Sequence, residues 1–124
     1  MLVCNLYPFE VTIKKPKVGI EEVIENIDIG GPTLIRAAAK NYKDVIVVTN
    51  KNQYNNVLKT LESKGDLSLR EREKLALDAF THTAQYDSII SNYLRNKWTD
   101  EVLPDNNSIA MRKKQDMRYG ENPH

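Results

Sequence analysis

Apolar and polar positions along the chain fall into short continuous runs and longer helical stripes. Leu2 to Leu6 is apolar except at Asn5 and is stopped by Tyr7-Pro8, which predicts a short buried strand. A strand at the first residue, with nothing before it to shield it, is expected where a chain starts inside a larger domain. Turn character follows around Pro16 and Gly19, and Ile20, Val23, Ile24 and Ile27 then recur at the spacing of a short helix. Asp28-Ile29-Gly30-Gly31-Pro32-Thr33 reads as a glycine turn feeding a helix. The glycines bend freely, Pro32 suits a first helical turn, and the Ala37-Ala38-Ala39 run favours helix up to Lys40 and Asn41.

Val45 to Thr49 is a second continuous run rich in β-branched residues, the pattern of a parallel strand covered on both faces. Asn50 and Gln53 have the spacing of a cap and its partner, opening a helix to about Ser63 that Lys64-Gly65 closes. Ser68 and Glu71 form a clearer capping box at the head of the longest helical stretch, which runs to near Trp98. Its predicted apolar stripe is Ala76, Phe80, Thr83 or Ala84, Tyr86, Ile90, Tyr93 and Leu94. Thr99 to Asp116 is polar and reads as a linker, and Met117 to His124 ends without a structural stop. The order strand, glycine turn, helix, strand, helix predicts an α/β fold with a parallel sheet and flanking helices. Ligand groups then belong at the carboxyl ends of the strands, where Asn5 and Tyr7 end one strand and the Asp28 to Thr33 turn can face them.

Composition narrows the function classes. In 124 residues, 18 Lys and Arg balance 17 Asp and Glu, so no overall field draws the chain to nucleic acid or to an anionic membrane. Arg112-Lys113-Lys114 reads as a solvated linker face, without the interleaved aromatics of a nucleic-acid surface. No apolar run approaches the roughly 20 residues that span a bilayer. The first residues lack the basic and apolar regions of a secretory signal, and the single Cys4 excludes an internal disulfide, so a reducing cytosol is the expectation. The sequon at Asn106-Asn107-Ser108 is then a chance match.

The candidate chemistry is spread over a few residues, each with a bland alternative. Asp28 is either the cap of the following helix or a carboxylate in a site. Lys40, four residues after Arg36 and on the same helix face, is either a lysine complementing the helix C-terminus or a proton donor aimed at a pocket. Tyr7 is either a hydrogen-bond donor or an amphipathic core edge, and Cys4 reads as strand filling. His82 reads as a structural helix residue, and without a second nearby His or Cys it assembles no metal site. The glycine turn is not a phosphate loop, since Pro32 removes a donor and the glycine and lysine strings of such loops are absent.

Taken together, four segments strongly resemble one family: Val3-Cys4-Asn5-Leu6-Tyr7-Pro8-Phe9; Ile27 through Asn41; Ala79-Phe80-Thr81-His82-Thr83-Ala84-Gln85-Tyr86-Asp87; and Arg118-Tyr119-Gly120-Glu121-Asn122-Pro123-His124. They stand in the order found in the bifunctional purine-biosynthesis enzymes that join an inosine monophosphate (IMP) cyclohydrolase to an aminoimidazole carboxamide ribonucleotide (AICAR) formyltransferase. The resemblance implies that residues 1–98 are the later part of a methylglyoxal-synthase-like cyclohydrolase domain, 99–116 a linker and 117–124 the start of the transferase domain. It implies catalytic roles for Lys40, Asp28 and Tyr7, and nucleotide contacts from Cys4, Asn5, Asp28, Ile29 and Gly30, with Arg118 and Tyr119 beginning the transferase site. Ring closure is expected to need no metal or cofactor, while the transferase step takes 10-formyltetrahydrofolate as cosubstrate. A homodimer acting on a purine nucleotide is the expected assembly. Two rivals stand beside this reading: a non-catalytic ligand-binding domain of the methylglyoxal-synthase-like type, and an inactive truncated fragment.

Overall fold

Two short parallel strands, β1 (Leu2–Val3) and β2 (Val47–Val48), pair with Leu2 opposite Val47 and Val3 opposite Val48. In this computed structural model, which describes residues 1–101 and 103–116, Leu2 donates to the Ile46 carbonyl at 2.8 Å and Cys4 to that of Val48 at 3.0 Å. The helices are α1 (Phe9–Thr12), α2 (Ile20–Glu25), α3 (Gly30–Lys40), α4 (Tyr54–Lys64) and α5 (Leu69–Trp98), with a 3-10 turn at Lys51–Gln53 before α4. The predicted α/β class with a parallel sheet is the class that forms.

The two strands differ in burial. Ile46, Val47, Val48 and Thr49 are all buried, as their unbroken apolar pattern predicted. The opening run is not a buried strand through Leu6. Pairing stops at Val3, which is half exposed, and the chain then alternates, with Leu2, Cys4 and Leu6 partly buried and Val3, Asn5 and Tyr7 open. An apolar composition cannot distinguish two covered faces from one, and here only one face of β1 is covered.

The main core joins Ile35, Ala38 and Ala39 of α3 to Val47 and Val48, to Val57 of α4 and to Leu75, Ala76 and Ala79 of α5. Each of its larger aliphatic side chains contributes roughly 1.5–3 kcal/mol by leaving water. Small residues on both α3 and α5 let the two helices, which share the most extensive contact in the fold, pack closely. Gly65 closes α4 in the left-handed region at φ 76°, which a side chain would resist.

The stripe of α5 follows the predicted one at Ala76, Thr83 and Tyr86 and departs from it at Phe80. Leu75, Ala76, Ala79, Thr83 and Tyr86 are buried, whereas Phe80 is 38% exposed and Ala84 is open to solvent. Phe80 lies on the outer side under the Arg36 guanidinium, 5.7 Å from the ring centroid. Thr83 takes the inner place because its hydroxyl donates back to the Phe80 carbonyl at 3.1 Å and leaves no polar atom unpaired. A second cluster of Phe9, Val23 and Tyr86 ties α1 and α2 to the middle of α5.

Residues 103–116 form no helix or strand, yet they lie along α5. Ser88 Oγ and Asn92 Nδ2 donate to the Ser108 carbonyl at 3.0 and 2.6 Å, and Arg95 reaches Asn107 and the Asn106 carbonyl. Arg112, exposed as expected, is not simply solvated: it pairs with Glu10 of α1 at 2.6 Å.

Candidate functional site

The carboxyl end of β1 meets the N-terminus of α3 through one side chain. Asp28 Oδ1 accepts the Gly31 N–H at 2.7 Å, and Oδ2 accepts the Tyr7 N–H at 3.2 Å. The helix's own N-cap position, Ile29, supplies no side-chain bond. Asp28 is therefore a cap, and also the brace that fixes the backbone at Tyr7. Gly31 permits the close approach: a Cβ there would stand 2.6 Å from Asp28 Oδ2 and 2.7 Å from Leu6 Cδ2. Gly30 faces open space. With Gly31 engaged by Asp28 and Pro32 lacking a donor, the Ile29 and Gly30 N–H groups are what remain at this end of α3, fewer than a phosphate cradle uses.

Of the expected contact residues, Ile29 and Gly30 follow Asp28 in the chain, Cys4 lies within reach of its charge, and Asn5 is tied to Tyr54 of α4. Tyr7 and Ile29 are 57% and 76% exposed, presenting their side chains to solvent beside Asp28. Asn5 donates from Nδ2 to the Tyr54 hydroxyl at 2.8 Å, which fixes the amide and leaves its carbonyl oxygen for a ligand. Burial, and then the Asp28 charge, push the Cys4 thiol up from its ordinary value, which disfavours the thiolate. Lys40 is exposed in the last turn of α3, about 15 Å of helical rise from Gly30, and the structure does not bring it to Asp28 or Tyr7. Arg118 and Tyr119 lie outside the described residues.

Three residues that the sequence reading left aside stand at the site. The Tyr86 hydroxyl accepts the Asp28 N–H at 2.9 Å. His82 and Gln85 form a wall shared by two cavities. One, of about 220 Å³, is lined by Tyr7, Glu10, Tyr86 and Arg112; the other, of about 200 Å³, by Thr49, Asn50, Gln53 and Asp78. Burial, aided by the Arg112 charge, lowers the His82 pKa, so the imidazole is neutral at pH 7. The signal for this was present: His82 and Tyr86 are four apart on one helix and must share a face. A roomier cavity of about 350 Å³ lies between α4 and the first half of α5, lined by Asn56, Lys74 and Asp78 among others, and contains none of the predicted site residues. Among the described residues no cluster of three metal-binding side chains forms, and no helix is long and apolar enough to cross a membrane.

The model of the AICARFT/IMPCHase bienzyme family matches residues 38–124. The chain belongs to that family. Bifunctional purine biosynthesis proteins PurH of Ruminiclostridium cellulolyticum and Acetivibrio thermocellus are each 52% identical to it over 124 residues, all of this chain. That of Lactobacillus acidophilus is 55% identical over 99% of it. The chain spans 24% of the length of each of these relatives. The family match begins after Asp28 and takes in Lys40, β2, α4 and α5, whereas the similarity to the PurH proteins also covers Tyr7 and the Asp28 junction.

Chemically, the junction presents one carboxylate aligned by two backbone amides, next to the exposed Tyr7, which lies two residues along the chain from the Asn5 amide. Each Asp28 oxygen accepts one bond from the protein and keeps acceptor capacity for a ligand N–H.

Proposed function

We propose that residues 1–98 are the later part of a methylglyoxal-synthase-like IMP cyclohydrolase domain, that 99–116 link it onward, and that 117–124 begin an AICAR formyltransferase domain. The reaction assigned here is closure of the purine ring in formylated AICAR. The carboxamide nitrogen attacks the formyl carbon and gives up one proton while the formyl oxygen becomes a hydroxyl; the formamide nitrogen then gives up its proton to form the ring C=N bond as the hydroxyl takes a proton and leaves as water.

The observation that carries this reading is the Asp28 carboxylate, braced between the Tyr7 and Gly31 amides at the exit of β1, in a chain of this family. Asp28 orients the attacking carboxamide by accepting its N–H and takes up proton density as the C–N bond forms. Tyr7 donates toward the negative charge that builds on the formyl oxygen. Cys4, Asn5, Ile29 and Gly30 border the nucleotide, and Arg118 and Tyr119 belong to the transferase site. Lys40 is the proton donor in this reading, a role carried by the resemblance, and it stands at the far end of α3 from Asp28. The transferase step would use 10-formyltetrahydrofolate, and a cytosolic setting suits both reactions.

Incubating the chain with formylated AICAR and following ring closure tests the reading. Turnover by the wild-type chain, abolished in Lys40→Ala, supports both the reaction and the lysine assignment. Retained turnover in Lys40→Ala removes Lys40 from the mechanism. Nucleotide binding without turnover favours the non-catalytic ligand-binding domain, and neither binding nor turnover favours an inert fragment.

A further inference from the structure

Behind the Asp28 carboxylate stands a tyrosine from a distant part of the chain. Tyr86 lies in the middle of α5, only 8% exposed, with its ring edge-on to Phe9 at 6.2 Å between centroids and 68° between planes. Its hydroxyl accepts the Asp28 N–H at 2.9 Å and donates to the Asn26 carbonyl at 3.4 Å. One side chain thus satisfies the backbone on both sides of the bend that leads into α3. Burial pushes the phenol up from its ordinary value, so the hydroxyl keeps the proton it donates. The rest of the ring is held by packing, and the Phe9 contact needs no hydroxyl. Without the hydroxyl, the Asn26 carbonyl and the Asp28 N–H would lose their partner on the side turned to the protein.

We propose that Tyr86 is a positioning residue: by holding the backbone of Asn26 and Asp28 against α5, its hydroxyl sets the direction in which the Asp28 carboxylate meets an amide-bearing ligand at the end of β1. Tyr86 touches no reacting atom. What the carboxylate does for the ligand rests on the cyclohydrolase reading; the hydrogen bonds that aim it do not.

The test compares the wild-type chain with Tyr86→Phe by residue-resolved amide hydrogen exchange and by ring-closure kinetics. In Tyr86→Phe, the Val47 and Val48 amides should keep their protection, while Tyr7 and Gly31 should lose about tenfold, the loss of one hydrogen bond. In the same variant kcat should fall about tenfold with KM nearly unchanged, since orientation and not binding is lost. Unchanged exchange at Tyr7 and Gly31 overturns the inference. Should Tyr86→Phe not fold, 3-fluorotyrosine at position 86 keeps the hydroxyl and the packing while weakening it as an acceptor. Partial loss of protection at the same two amides then supports the role, and full wild-type protection overturns it. A wild-type chain that turns over no substrate strikes the cyclohydrolase reading alone, and the exchange comparison still decides this one.

Discussion

The two longest helices apart from α4 begin in opposite ways. α5 starts on a closed local device: Ser68 Oγ accepts the Glu71 N–H, and Glu71 Oε2 accepts the Ser68 N–H at 2.8 Å, all within four consecutive residues. α3 has no side-chain bond from its N-cap residue. Its cap comes from Asp28, one residue further upstream, and that carboxylate is shared with Tyr7 while its own N–H is held by Tyr86. The first start stabilises a helix and does nothing else. The second couples a helix, a strand end and a distant helix through one carboxylate that remains accessible, which is the arrangement expected where local stability is subordinate to a site.

That contrast can be broken experimentally, and the largest effect belongs to Asp28→Asn. Asparagine offers one acceptor oxygen where Asp28 uses two, so it can keep the cap at Gly31 but faces the Tyr7 N–H with a donor, and a loss of about 1–3 kcal/mol in thermal stability is expected. Ring closure should fall by roughly a hundred- to ten-thousand-fold, the range of a lost acid–base group. Turnover at the wild-type rate would reduce Asp28 to a cap like Ser68. Next comes Gly31→Ala, whose Cβ must displace Asp28 or Leu6; a loss of about 1–3 kcal/mol in chemical unfolding is expected. Gly30→Ala, facing open space, should be neutral or slightly stabilising in the same assay. Equal effects at the two glycines would show that the Asp28 contact is not tight.

Ser68→Ala should cost about 1 kcal/mol and leave ring closure untouched. The smallest effect is a pH dependence confined to α5. The bond from the Ser68 side chain, and then that from its backbone, hold the Glu71 carboxyl below its ordinary value. The support it gives is therefore complete above the unfolded-state value, near 4.3, and is lost as pH falls through the lower folded-state value. Protection of the first-turn amides of α5 should fall below about pH 4 in the wild type, and this acid step should shrink in Ser68→Ala, which keeps only the backbone bond to Glu71.

The same contrast explains what could be read in the sequence. Both capping boxes, the α4 stop at Gly65 and the buried run of β2 were legible because each depends on neighbours in the chain. The α5 stripe was legible at Ala76, Thr83 and Tyr86 but not at Phe80, which was read as core where the small Ala79 is the fully buried neighbour. Asp28 showed both of its possible roles in the sequence and turns out to cap α3 as well as brace Tyr7. Its Tyr86 partner, 58 residues away, was not legible, because nothing local requires a phenol there. The segment after Thr99 was read from its polarity as a linker. Its bonds to α5 run from side chains to backbone, and composition carries no trace of them.

The most direct test of the central claim is a titration of the isotope-labelled chain with inosine monophosphate, followed amide by amide by nuclear magnetic resonance. A site at the β1–α3 junction requires shifts at Tyr7, Asp28 and Gly30 that saturate together, with the Ser68 to Glu71 amides unmoved. Saturating shifts elsewhere, for instance around the cavity between α4 and α5, with the Tyr7 and Asp28 amides silent, would contradict it.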